Sequence, residues 1–212
     1  MTEYEANVAA ASSTTELSRE TLHTRVVKME GFRRSDGLFE IEARLTDTKP
    51  FDFRPVSDDR VVQAGDLVHN MCVRIVFDEN LLVHDVIAFT DSAPYADCYG
   101  APATLKSLIG LRMVGGWTSE VRKRLPGAAS CVHLAGLMVP MAATAYQTLS
   151  GWRAREAGGN PPIDKTSMLD SCLAYASHGQ IVRRHWPEHY KIKVESGDGG
   201  VSASGHRLTD IH

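Results

Sequence analysis

The histidines and cysteines of this 212-residue chain are the side chains whose types and spacing are best suited to chemistry. Thiolate and imidazole together form the donor set that zinc and iron centres prefer, at about 2.3 Å for sulfur and about 2.0 Å for nitrogen. His69, Cys98, Cys131 and His133 are the positions that can supply it. Cys131 opens a long apolar segment two residues before His133, and a helix start favours an anionic ligand or nucleophile. Cys98 ends the loop Asp91-Ser92-Ala93-Pro94-Tyr95-Ala96-Asp97-Cys98. His69 begins an alternating run on its apolar side, where an imidazole without a partner is costly. The expected ligands of one Zn or Fe ion are therefore His69, Cys98 and Cys131, with His133 and Asp91 moving protons. Residues i and i+2 of a regular helix point about 200° apart, so Cys131 and His133 serve one centre only if the first turn is irregular.

His23 and Arg25 stand two apart on a predicted strand and point the same way, a pair suited to a substrate carboxylate or phosphate. Cys72 lies opposite the core face of its strand and reads as structural, whereas Cys172 is open between structure and site. No GxSxG, Walker or GxGxxG loop precedes a helix, so serine-hydrolase and nucleotide-binding readings lack support.

The four cysteines lie 26, 33 and 41 residues apart without a CxxC pair, which favours reduced thiols in a cytoplasmic protein. The N-terminal stretch carries no basic residue before its apolar part, unlike a signal peptide. The longest apolar segment, Cys131 to Leu149, is interrupted by His133, Pro140 and Gln147 and is too polar to span a bilayer. A net charge of -3, from 23 basic and 26 acidic residues, offers no basic face for nucleic acid. A small-molecule substrate and a homo-oligomer remain as partners.

The elements that must position these groups follow from periodicity. Thr24 to Arg33 reads as a strand, Ser35-Asp36-Gly37 as a turn, and Leu38 to Thr46 as a second strand with Phe39, Ile41, Ala43 and Leu45 on one side. After a loop from Asp47 to Gly65, His69, Met71, Val73, Ile75 and Phe77 share a strand face. Asp78-Glu79-Asn80 then turns into a fourth strand, Leu81 to Phe89. Two hairpins predict an antiparallel sheet of about four strands. Beyond Pro94 the period becomes helical, with a long helix capped by Ser130, running to about Ala154 and kinked near Pro140. Strands first and helices after predict an α+β fold. The expected boundaries are a disordered segment over 1–20, one domain over 21–193 and a disordered tail over 194–212, with a Gly/Pro linker at 158–162.

The runs His23-Thr24-Arg25, Gly31 to Leu38, Leu45 to Lys49, Thr90 to Tyr95 and Cys131-Val132-His133-Leu134 resemble a bacterial family catalogued only as a domain of unknown function, over roughly residues 20 to 190. The resemblance implies a setting in aromatic-acid or acyl-CoA breakdown. More distantly, the order of features is similar to the U-type iron–sulfur scaffold proteins. That likeness implies that His69 stands at the scaffold's aspartate ligand, Cys98 at its middle cysteine and Cys131 at its last. The scaffold's first cysteine falls on Leu67, leaving a mixed His/Cys site for one ion.

The expected function is a small metal-dependent hydrolase, decarboxylase or lyase of aromatic or acyl-chain catabolism. The rival readings are an iron–sulfur or metal carrier, an accessory binding module, and a metal-free ligand-binding domain with core cysteines.

Overall fold

A computed structural model describes residues 17–56, 60–159 and 168–192. Four antiparallel strands lie side by side in chain order: β1 (Thr24–Arg33), β2 (Phe39–Thr48), β3 (Leu67–Phe77) and β4 (Val83–Ser92). Helices follow, and the α+β architecture of two hairpins and a helical half holds. β2 shows why: Phe39, Ile41, Ala43 and Leu45 are buried while Glu40, Glu42 and Arg44 are half-buried on the other side, the period-two pattern of a sheet covered on one face. Gly37, at φ 93°, makes the β1–β2 turn in a conformation that an L side chain resists.

The strand boundaries differ from the sequence reading in one consequential place. β2 runs on through Asp47 and Thr48 instead of yielding to a loop at Asp47. Asp47 takes the next inward position after Leu45, and the register with β3 shifts only between Asp47 and Thr48.

The helix α1 (Trp117–Arg124) packs against α2 (Val132–Glu156), and α2 packs on the covered face over β1, β2 and β3. Leu105 and Leu108, at helical spacing, lie in a 3-10 stretch from Ala101 to Leu108 rather than in an α-helix. Leu134, Met138, Met141 and Leu149 of α2 join Ile41, Met71, Val73 and Ile75 in the core. Pro140 lies inside α2. The indole Nε1 of Trp117 donates to the Met138 carbonyl at 2.9 Å and ties α1 to α2. α2 crosses β1 closely at Gly31, where a Cβ would run into the side chain of Thr148. Glycine is required there by contact, not by backbone angle.

The described chain divides into two compact units at Gly159, within the expected linker. The second unit holds the short helix α3 (Gln180–His185) and a stack of Tyr175 on Trp186 with ring centroids 5.3 Å apart. The expected linker is described only through Gly159. The tail over 194–212 and most of the segment 1–20 fall outside the described residues, and 17–20 carry no regular structure. No helix among the described residues is long and apolar enough to cross a membrane.

Candidate metal centre

Strand register builds the site. Arg25 of β1 lies opposite Asp47 of β2, which lies opposite His69 of β3, so three chemically active side chains stand in one row across three strands. All three share the covered face with Leu45 and Met71, and His23 precedes Arg25 by two positions, on the same side. His133 comes down onto the row from the first turn of α2, and its ring lies 4.2 Å from that of His69, centroid to centroid.

Asp47 is the hub. Its carboxylate is fully buried, and a buried charge survives only if paired. Oδ1 accepts hydrogen bonds from Arg25 Nε at 2.7 Å and His23 Nε2 at 3.0 Å. Oδ2 accepts from Arg25 Nη2 at 2.7 Å and His69 Nδ1 at 2.9 Å. Burial alone pushes this carboxyl up. The Arg25 bonds and charge outweigh it, with help from His23 and His69, and bring it down to about 2. Asp47 is therefore an anion at neutral pH.

The bond to Asp47 fixes the tautomer of His69. With Nδ1–H donated to the carboxylate, Nε2 keeps its lone pair for a metal ion or a proton, the arrangement by which a carboxylate orients a ligating imidazole. Burial lowers the pKa of His69 and exceeds the opposing pull of Asp47. Burial also lowers that of His133, followed by the charges of His69 and Arg25. Both imidazoles are thus neutral near pH 7, as metal ligation requires.

Donor atoms of Asp47, His69 and His133 all lie within 4.8 Å of one another, and this is the one group of three or more metal-competent residues at such separation among those described. The expected trio of His69, Cys98 and Cys131 does not form such a group. Its thiols line the wall of a cavity of about 630 Å³ that opens against His69 and His133. Cys98 sits in a 3-10 turn (Ala96–Tyr99), partly buried. Cys131, rather than Ser130, occupies the cap position before α2, and its extended backbone (φ -82°, ψ 122°) lets it escape the helical i, i+2 divergence. Its Sγ stands 3.8 Å from His133 Nδ1. Two ligands of one tetrahedral ion are separated by roughly 3.5 Å, so Cys131 and His133 stand near ligand spacing.

The remaining sequence candidates separate cleanly. His23 and Arg25 do hold a carboxylate, but it is the protein's own Asp47. Asp91 lies on the opposite face of the sheet, where it accepts from Arg44 at 3.4 Å beside Asn70 and is 48% exposed. It is therefore no partner for His69, and the reason is strand parity. Cys72 is buried on that same outer face, as expected of a structural thiol. Cys172 is exposed and belongs to the second unit. The sequence reading misses Asp47 because it ends the second strand at Thr46, two residues short of its end at Thr48. The signal was present: 39, 41, 43, 45 and 47 have one parity.

A family model described as "Protein of unknown function (DUF2889)" matches residues 23–147, more than half of the chain, and its match begins at His23 and includes every member of the cluster. No curated protein and no solved structure matches.

Proposed function

The chain belongs to this family of unknown function, and we propose that it is a small metal-dependent enzyme. One Zn²⁺ or Fe²⁺ ion is held by the imidazoles of His69 and His133, with Asp47 beside them, at the head of the cavity that Cys98 and Cys131 line. The observation that carries this reading is the convergence of three donor groups from β2, β3 and α2 within 4.8 Å. The geometry gives Asp47 the role of orienting His69 and balancing charge, since its two oxygens already accept four hydrogen bonds. Cys131, within reach of His133, is the nearest further donor. A bound ion there supplies Lewis acidity toward a carbonyl or a water molecule.

The cavity is lined by Pro94, Tyr95, Ala101 and Val132 as well as the site residues, which suits an aryl or acyl substrate. Hydrolysis, decarboxylation and lyase cleavage all fit that chemistry, within aromatic or acyl-chain catabolism. All four cysteines are free, which supports a reducing compartment such as the cytoplasm.

Elemental analysis of the purified protein tests the reading. About one zinc or iron per chain is expected, and His69→Ala and His133→Ala each lose it. A protein that carries no metal, and takes up neither Zn²⁺ nor Fe²⁺ in titration calorimetry, ends the proposal.

The 3.8 Å contact between Cys131 Sγ and His133 Nδ1 favours a second reading, a metal-free thiol nucleophile with His133 as its base. Under that reading turnover survives chelation, and iodoacetamide inactivates the enzyme by modifying Cys131.

A further inference from the structure

β1 closes one side of the sheet, and among the described residues it pairs on one flank only, with β2. It is ten residues long and uncapped by proline or bulge, and nearly all of it is exposed. A free edge of that length is a template for another strand. Its outward residues are Val26, 54% exposed, Lys28, Glu30 and Phe32, 43% exposed. Lys28 and Glu30 form an ion pair within the strand at 2.9 Å, and an antiparallel pairing that sets Met29 against the partner's Met29 places Lys28 opposite the partner's Glu30 as well. The same register places Val26 opposite the partner's Phe32. Each contact occurs twice by symmetry, so the strand is complementary to itself in charge and in apolar surface. Arg25 falls opposite the partner's Arg33, but both guanidinium groups are already engaged. Arg25 is held by Asp47, and Arg33 lies over the rings of Phe39 and Trp152.

α2 lies over the inner face of this strand: Thr144 Oγ1 is 3.6 Å from Met29 Sδ, and Thr148 lies over Gly31, so helix and strand run in the same direction. The exposed row Val132, Gly136, Val139 and Ala143 points away from the sheet, because each stands two positions before a buried residue (Leu134, Met138, Met141 and Ala145). The strand edge alone therefore carries the pairing.

We propose that the protein is a two-fold dimer in which β1 pairs with β1 of a second copy, forming one continuous eight-stranded sheet. This interface is independent of any metal at the site.

Sedimentation velocity on the full chain, over a range of concentrations, is the test. A species of twice 23.2 kDa is expected. Lys28→Glu sets like charges against the partner's Glu30 at two symmetric points and raises the dissociation constant roughly tenfold or more. Glu30→Lys does the same, and the double exchange Lys28→Glu/Glu30→Lys restores the dimer. Circular dichroism establishes that each variant is folded, as expected for changes at exposed positions. A wild-type protein monomeric at every concentration overturns the proposal, as does a dimer that both single charge reversals leave intact.

Discussion

Replacing Asp47 by asparagine removes one negative charge from the centre of the cluster and changes almost nothing in volume. The fall of the Asp47 carboxyl from 3.8 to about 2 in the folded protein is worth about 2 kcal/mol at neutral pH. Stripping a sealed ion pair of one partner costs about 3–5 kcal/mol. The Arg25 side chain is 43% exposed and recovers hydration, and the carboxamide oxygen still accepts one bond, so the cost falls toward the lower value. The expected loss is about 2–3 kcal/mol, read from urea unfolding at pH 7. The sign with pH is fixed as well. A depressed carboxyl stabilises the fold above its unfolded pKa and ceases to do so as pH drops from near 3.8 through about 2. The gap between wild type and Asp47→Asn therefore narrows on acidification, by about 1 kcal/mol between pH 7 and pH 3. An asparagine variant within about 0.5 kcal/mol of wild type at pH 7, or a gap that stays constant down to pH 3, would refute the assignment of Asp47 as the charged hub.

Two further outcomes follow from the same geometry. Both cluster imidazoles titrate below 6.5 in the folded chain, so their stabilising contribution is complete above that pH and is lost as pH falls through the lowered values. Measured with chelator present, the urea midpoint declines from pH 7 to pH 5, and His69→Gln or His133→Asn flattens the decline; an unchanged slope in both variants contradicts it. Gly31→Ala drives a methyl into Thr148 and costs about 1–3 kcal/mol, seen as a lower melting temperature. Thr148→Ala returns part of the loss, because Oγ1 and Cγ2 leave while Cβ at 2.9 Å remains. Equal melting of Gly31→Ala and wild type counts against the close crossing.

β2 was legible because Phe39, Ile41, Ala43 and Leu45 alternate with charged residues, and one register then determines which face each side chain takes. His69 and His133 were recognisable from type and placement. What escaped was the partner set, since the row Arg25, Asp47 and His69 exists only after β1, β2 and β3 are aligned. Ending β2 at Thr46 hid the one residue that joins His23, Arg25 and His69. Asp91 misled for a related reason: position at a strand end says nothing of face unless the register is followed through the β3–β4 irregularity between Asn70 and Met71. Ser130 has the side chain suited to a helix cap, yet the cap position falls on Cys131. The extended backbone at Cys131 is a local choice that residue types do not announce.

Asp47 and His69 stand on paired strands, whereas the opposite wall of the 630 Å³ cavity comes from chain between β4 and α2, including Tyr95, Thr104 and Ala128. On the proposed reading, reactivity and selectivity are thereby written in separate stretches of chain. Exchanging residues 94–104 or 127–130 for other sequences redraws the shape that a ligand must match, while the strand-borne carboxylate and imidazole keep their alignment. A framework divided in this way lets related chains diversify what they accept without rebuilding what they do.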